Sequence, residues 1–475
     1  MPSTLVKSGV STDQKQSVSG IINKHSMYET TVAEIIDTAE VMGLNEDHIG
    51  HLCMPDKVTE FKVDFEGKVY NGARVQYNTI DAGGHDQTTF GGFRFAVPDE
   101  GSDATELATG LGIVMMLKTG PRKSSGGAKG VLGIDGRGLL GDDNKARRVK
   151  LCEAIVDGLY EAGFYDKSRM IQREIDGKLY TVPPDVMAPD MYTSPEVMGY
   201  LVEALAKKPG MNLDEARKWF NGKSVEYGGL SARAESTGRG GAIYAMEVLI
   251  KHPRLTSMNE MSAIRVAIEG FGNAGSTFAM HMKRYIPNAG LTAVKEYDGV
   301  LVAEEGCEID TQKLMENRRQ RLPLKQMQTA GILFSEDSSQ FWGSKPDVLI
   351  PAFKESTVDL SEVDELDLGR LRMVLPLAND ALTLDALNSL TEAGVVVLPD
   401  FEANSGGVDI SMIEHELAVT GGNLTDDEVV VMLEDGMRER VDNIFRVIDE
   451  FSSMDETLAY NMRKAGIIAS IETLV

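Results

Sequence analysis

The segment Met115–Gly130, MMLKTGPRKSSGGAKG, concentrates groups that can do chemistry: Lys118 and Lys129 bracket a short loop that carries Arg122 and Lys123. Lys129 stands among Gly126, Gly127 and Gly130, and glycine lets backbone come close to a ligand. A lysine crowded by cations and desolvated in a cleft has a lowered pKa and becomes a base. The plainer reading of the same residues is a solvated basic loop feeding a turn. Further along, Asp190 lies in YTVPPDVMAPDMYTSPEVMG (Tyr180–Gly199). Pro183, Pro184 and Pro189 remove backbone donors and force extended geometry before them. This segment reads as a proline-punctuated loop that fixes Asp190 just ahead of a helix starting near Ser194. An N-cap-like aspartate is its plainer alternative.

The elements around these groups alternate. A helix is expected near Tyr28 to Met42, a hairpin from Val58 to Tyr77 turning at Glu66-Gly67-Lys68, and a glycine-rich loop from Asp81 to Phe95 containing GGFRF. A helix from about Asp103 to Leu117 delivers Lys118, and an amphipathic helix covers Ala146 to Ala162. The composition changes at YGGLSARAESTGRGG (Tyr227–Gly241). Beyond it a strand, Ala263 to Ile268, runs into Gly270-Phe-Gly-Asn-Ala-Gly275, then a helix from Ser276 to Tyr285 and a second strand, Leu291 to Lys295. Glu296 follows about twenty residues after the glycines, the spacing of a dinucleotide-binding βαβ unit. In such a unit the glycines admit a pyrophosphate to the helix N-terminus, and the acid accepts ribose hydroxyls. Further strands are expected at Asp347 to Ile350, Met373 to Leu375 and Val395 to Leu398. Asn379 and Asn404 lie just past strand ends, where ligands of parallel sheets bind. From Asp426 onward the chain reads as helical.

At 475 residues the chain has room for two or three domains, and its 42% hydrophobic content suffices for sizeable cores. The formal net charge of −25 argues against nucleic acid or an anionic membrane as partner. Cys53, Cys152 and Cys307 form no CxxC and read as reduced, buried thiols of a cytoplasmic protein. The histidines lack metal-ligand spacing, so no metal site is expected. The polar N-terminus reads as an arm or an oligomer contact without a signal peptide, and no apolar run approaches a membrane span.

Taken in order, GGFRF, GGAKG, APDMYTSPEVMG, ESTGRG, GFGNAG and PDFEANSGGV resemble the glutamate, leucine, phenylalanine and valine dehydrogenase family, from about residue 28 to the C-terminus. Length and the N-terminal region resemble its glutamate enzymes. The resemblance implies a two-domain α/β fold. A substrate-binding and oligomerisation domain would span 1–232, a Rossmann-type NAD(P)-binding domain 233–430, and helices from 431–475 would return to the first. The cleft between the domains would close on substrate. It implies reversible NAD(P)-dependent oxidative deamination of an L-amino acid, with L-glutamate and 2-oxoglutarate leading, NAD expected over NADP, and a homo-oligomer, a hexamer by resemblance.

By the same resemblance Lys129 would activate water and polarise the imino carbon, and Asp190 would carry a proton to and from the amino group. Lys118 would hold the α-carboxylate, with Gly91 and Gly92 in the substrate loop. Gly270, Gly272, Asn273, Ala274, Gly275 and Glu296 would hold the dinucleotide, with Thr237, Asn379 and Asn404 near the nicotinamide. Three departures stand out. Phe90 replaces the lysine that glutamate enzymes carry before the Gly-Gly pair, although Ser411 in GGVDIS matches a glutamate-binding serine. The loop after Lys118 is shorter and more basic than usual. GGLSAR and PLAN replace GGSxGR and EGAN. A buried substrate carboxylate needs a cation. Either Arg122, Lys123 or Arg94 therefore compensates for Phe90, which is the expectation, or the pocket takes a neutral apolar amino acid. A nucleotide-binding homologue without catalysis is the third possibility.

Overall fold

The computed structural model describes residues 26–81, 83–97, 103–121 and 125–474. The expected N-terminal arm, and Arg122 and Lys123, lie outside them. Contacts divide the chain into two units. The first comprises the described residues through Gly229, with Glu414–Gly422 and those from Ile467 on. The second comprises Leu230–Ile413 and Asn423–Gly466.

The first unit is built on a five-stranded sheet in the order β1-β2-β4-β3-β7. β1 (Lys57–Phe65) and β2 (Lys68–Tyr77) form the expected hairpin, with β1 at the sheet edge. Glu66 and Gly67 make the two-residue turn at φ 52° and 75°, the backbone that matches strand twist. Alternation along β1 sends Phe61, Val63 and Phe65 into a core shared with Leu151, Ile155 and Trp219. β3 (Thr88–Phe95) and β4 (Ser125–Leu132) occupy the centre, parallel to each other, and β3 pairs in parallel with β7 (Asp185–Pro189). A separate hairpin joins β5 (Ile171–Ile175) to β6 (Lys178–Val182).

Four stretches expected as loops are therefore strands: GGFRF in β3, GGAKG in β4, YTV at the end of β6 and DVMAP in β7. Glycine has low β propensity, which hid the first two, and Pro183, Pro184 and Pro189 hid the others. The glycines serve close packing instead. A Cβ at Gly91 would lie 1.6 Å from the Ala128 carbonyl oxygen, and one at Gly127 2.2 Å from the Met116 nitrogen. The helix Ala104–Thr119 lies against β4 by that gap. It starts at Asp103, whose carboxylate accepts from Thr105 and Glu106 N–H in a capping box.

The second unit holds a seven-stranded sheet, order β11-β10-β9-β8-β12-β13-β14. β8 (Ile264–Glu269), β9 (Ala289–Glu296), β12 (Val348–Pro351), β13 (Met373–Val374) and β14 (Val396–Val397) run parallel. β10 (Gly299–Ala303) and β11 (Ile332–Ser335) extend it antiparallel. This is a Rossmann-type sheet with its switch point beside β8. The helix after β8 spans Asn273–Tyr285, starting inside the glycine motif rather than at Ser276. PDFEANSGGV, expected as a linking piece, forms the helix Asp400–Ala403 and opens the helix Gly406–Thr420.

The stretch 431–475, assigned whole to the first domain by the sequence, divides. The helix Asp426–Phe451 stays in the second unit, where Arg438 and Lys251 bond its side chains to the helix Ser236–Lys251. The residues from Ile467 belong to the first, where Ser470 donates to the Leu117 carbonyl. Cys53 and Cys152 are buried as expected, but Cys307 is exposed, because it sits in the turn after β10 rather than under a sheet. No helix among the described residues is long and apolar enough to cross a membrane.

Candidate active site

Three neighbouring strands bring three charged side chains together in the first unit. Lys129 comes from β4, Arg94 from β3, and Asp190 from the residue after β7. Lys129 Nζ lies 2.6 Å from Asp190 Oδ2. Arg94 Nε donates to the same oxygen at 3.0 Å and Nη2 to Oδ1 at 3.3 Å. The side chains are 7%, 12% and 19% exposed, so Lys129 does not belong to a solvated loop. Burial pulls the Lys129 ammonium below its ordinary value; Asp190 opposes this, and the Arg94 and Arg74 charges add to it. Burial pushes the Asp190 carboxyl up, but Arg94 and Lys129 outweigh it and hold it well below the usual carboxylate range. The ground state is an ion pair between the Lys129 ammonium and the Asp190 carboxylate.

Local structure fixes Asp190 independently of any helix cap. Its N–H donates to Thr193 Oγ1, whose hydroxyl donates to the Phe93 carbonyl. Ser194, not Asp190, caps the helix Pro195–Ala206, accepting from Val197 N–H. A Cβ at Gly92 would lie 2.7 Å from Asp190 Cβ, so Gly92 leaves room for the carboxylate.

The same sheet holds a buried pair that the sequence did not single out. Fully buried Arg74 reaches Asp185 with Nε at 3.0 Å and Nη2 at 2.6 Å. Its Nη1 donates to the Gly91 and Gly92 carbonyls. One guanidinium thus ties the backbone of β3, which carries Arg94, to β7, which leads into Asp190. From Gly72 to Tyr77 β2 is buried on both faces, so alternation in the sequence carried no signal of this arginine.

The other expected substrate residues fall into distinct settings. Lys118 is buried in the last turn of the helix Ala104–Thr119. Phe90 is buried on β3 and meets His415 edge-on at 5.3 Å. His415 is itself wholly buried, and neither ring nitrogen makes a hydrogen bond of standard geometry. Burial pushes its imidazole down to about 3, helped by the Arg173 and Lys223 charges and partly offset by the Lys218 backbone. His415 therefore brings no cation to Phe90. Nearby, buried Lys223 is matched by Glu414 at 2.5 Å. Arg94, a candidate for compensation, has its guanidinium turned to Asp190. Ser411 is buried in the second unit, where Arg233 Nε donates to its hydroxyl at 3.2 Å.

The glycine turn of the second unit has the form a phosphate needs. Gly270 has φ +85°, and a Cβ there would strike Phe353 Cα at 2.8 Å. A Cβ at Gly275 would lie 2.1 Å from the Gly270 oxygen, whereas one at Gly272 would meet nothing. No side chain caps the helix Asn273–Tyr285, so no side-chain oxygen takes its first-turn N–H groups. Glu296 ends β9, its Oε1 accepting from Phe271 N–H at 2.5 Å and its Oε2 from Arg318 Nη2 at 3.1 Å. Arg318 also covers the Tyr297 ring, and nothing in the motif pointed to it. Lys295 turns away: its Nζ bonds Glu269 and sits over Trp342. Asn404 Nδ2 donates to Asn379 Oδ1 at 2.7 Å, leaving a buried amide oxygen unpartnered. Arg463 supports both loops through Asp380 and Asp400. Thr237 is half-buried in the first turn of the helix Ser236–Lys251.

Residues 228–475 match the model of the family described as Glutamate/Leucine/Phenylalanine/Valine dehydrogenase. The chain is 27% identical over 438 residues to the NADP-specific glutamate dehydrogenase of Saccharolobus shibatae, covering 90% of each chain. It is 24% identical over 455 residues to the NAD-specific glutamate dehydrogenase of Clostridioides difficile, covering 94% of this chain and 96% of that one. Its fold is similar to Plasmodium falciparum glutamate dehydrogenase, with TM-score 0.79 at 20% identity over 97% of this chain and 92% of the other. It is also similar to hetero-hexameric glutamate dehydrogenase of Thermus thermophilus in its Leu-bound form, with TM-score 0.75 at 20% identity over 95% and 96%.

Proposed function

This chain belongs to the glutamate/leucine/phenylalanine/valine dehydrogenase family, and on that premise we propose that it catalyses the reversible NAD(P)-dependent oxidative deamination of L-glutamate to 2-oxoglutarate and ammonia. The observation that carries the reading is the 2.6 Å contact between Lys129 Nζ and Asp190 Oδ2, buried beside Arg94. Asp190, held ionised, accepts a proton from the substrate ammonium. Lys129, with its pKa depressed, releases its ammonium proton to solvent; the neutral amine then takes a proton from the water that adds to the imino carbon, and protonated Asp190 returns its proton to the nitrogen that leaves as ammonia. Lys118 supplies the positive charge for the α-carboxylate, Gly91 and Gly92 the backbone beside it, and Ser411 a hydroxyl for the side chain.

Gly270, Gly272, Asn273, Ala274, Gly275 and Glu296 fit a dinucleotide, since the open space at Gly272 and the uncapped helix would take a pyrophosphate. A bound nicotinamide supplies the hydride acceptor. Thr237, Asn379 and Asn404 serve its carboxamide. NAD is favoured by Glu296, and Lys295 is spent on Glu269. The first unit would be the substrate and oligomerisation domain and the second the cofactor domain, and the protein would be a cytoplasmic homo-hexamer. The Thermus relative assembles as a hetero-hexamer.

A specific observation favours a second substrate reading. Phe90 and a neutral His415 offer nothing to a side-chain carboxylate, as a pocket for a neutral apolar amino acid would. Steady-state rates with each of the twenty amino acids and both cofactors decide. A kcat/KM highest for glutamate upholds the proposal; a preference for leucine, valine or phenylalanine replaces it with the second reading.

A further inference from the structure

A cavity of about 750 Å³ opens at the N-terminal edge of the seven-stranded sheet. It lies at the start of β8, whereas the glycine turn follows the end of β8, roughly 15–20 Å away at the rise of an extended strand. The dinucleotide residues do not line it. Its walls carry Arg265, Ser344, Lys345 and Arg370, with Glu305 and Glu308 on the side of the turn after β10. A volume of this size suits a small metabolite.

The charges on its walls are not balanced internally. Asp347 is the carboxylate between the two arginines, and it is already saturated. Its Oδ1 accepts from Arg370 Nε at 3.1 Å, and its Oδ2 from the Arg265 backbone N–H at 2.8 Å and Arg370 Nη2 at 3.4 Å. The Arg265 guanidinium is left with two carbonyls, Ala303 and Ser344, each 3.3 Å from Nη2. It is half-buried and has no ion pair among the described residues. Burial lowers its pKa, the Arg370 charge lowers it further, and Asp347 and Glu305 offset this only in part. A partly desolvated guanidinium without a direct ion pair is costly unless something anionic meets it. Ser344, 8% exposed, adds a buried hydroxyl with no hydrogen-bond partner. Lys345 is exposed beside them without an ion pair among the described residues. On the opposite wall Glu308 is neutralised by Lys283 at 2.6 Å, and Glu305 at the rim makes no ion pair among the described residues.

We infer that this cavity is a second small-molecule site, which takes a metabolite bearing an oxyanion group, phosphate or carboxylate, against Arg265, Ser344 and Lys345, with a hydroxyl or ammonium turned to Glu305. It is separate from the proposed chemistry and does not depend on the substrate.

Calorimetric titration of the full chain, with saturating NAD present and chloride matching the ionic strength, tests it with two probes, inorganic phosphate and citrate. Saturable binding of either, one per chain, is expected, and which one binds tells a phosphate ligand from a carboxylate. Arg265→Gln should weaken it at least about tenfold, the scale of a hydrogen bond to a charged group. Lys345→Asn should weaken it about threefold, as for an exposed charge. Lys345 has φ +54°, which asparagine tolerates, so that variant keeps the fold and decides the matter alone if Arg265→Gln does not fold. No saturable heat with either probe, or binding that the folded variants leave unchanged, overturns the assignment.

Discussion

Replacing Asp190 by asparagine keeps the side-chain shape but removes the charge and the capacity to hold a proton. In the native site that charge is shared by Lys129 at 2.6 Å and Arg94 at 3.0 Å. Asparagine would strand both cations in side chains only 7% and 12% exposed. Breaking a buried pair this way costs about 3–5 kcal/mol, and the 19% exposure of Asp190 points to the lower end. The variant also loses the group that raises the Lys129 pKa, so the lysine should titrate still lower than in the native enzyme. Losing a positioned proton carrier lowers kcat by about 10²–10⁴-fold. The assay is kcat per folded molecule, with the urea midpoint measured on the same sample. Adding Arg94→Gln to Asp190→Asn removes one stranded cation, so the double variant should be more stable than Asp190→Asn alone. Activity per folded molecule above about a tenth of wild type, or a double variant less stable than the single by the full cost of Arg94→Gln, refutes the reasoning.

His415 stays neutral when folded, with its imidazole near 3, and takes a proton near 6.5 when unfolded. Between those values the unfolded chain binds more protons, so stability rises with pH and is lost as pH falls from 6.5 toward 3. The loss should reach roughly 2 kcal/mol by about pH 5, and His415→Leu should flatten that slope in chemical denaturation; identical slopes would contradict it. Arg318→Ala should leave Glu296 uncompensated and raise the NAD over NADP ratio of kcat/KM by up to about fivefold, the scale of a partly exposed ion pair. An unchanged ratio removes Arg318 and Glu296 from cofactor choice. Gly91→Ala places a methyl 1.6 Å from the Ala128 oxygen and must push β3 from β4, at about 3 kcal/mol or more. A melting temperature equal to wild type would show that the strands have slack.

Legibility in the sequence followed the physics of each element. The β8–helix–β9 unit was readable because apolar runs, glycines and an acid occur at the spacing that phosphate binding requires, and only the helix start was misplaced, since the whole glycine motif through Gly275 was read as turn while the helix begins inside it at Asn273. Lys129 and Asp190 were found by residue type and setting, but the setting was misjudged. Strands made of glycine carry no alternation, so GGFRF and GGAKG looked like loops although they form the centre of the sheet. The partners of those residues were beyond reach: Arg94 on Asp190, Arg74 on Asp185 and Arg318 on Glu296 are contacts between residues distant in sequence. Phe90 was legible as a departure, while His415 facing it was not, because a lone histidine on a helix gives no hint of its depth.

Lys129→Ala tests the central claim most directly. It deletes the amine that the account makes the base, while the dinucleotide residues Gly270 to Gly275 and Glu296 belong to the other unit. Reduction of NAD by L-glutamate, followed alongside NAD affinity by calorimetry, should show kcat reduced by at least about 10²-fold with the cofactor affinity of wild type. A kcat within about tenfold of wild type, or equal losses of turnover and NAD binding, would contradict the assignment of the buried Lys129–Asp190 pair as the reacting centre.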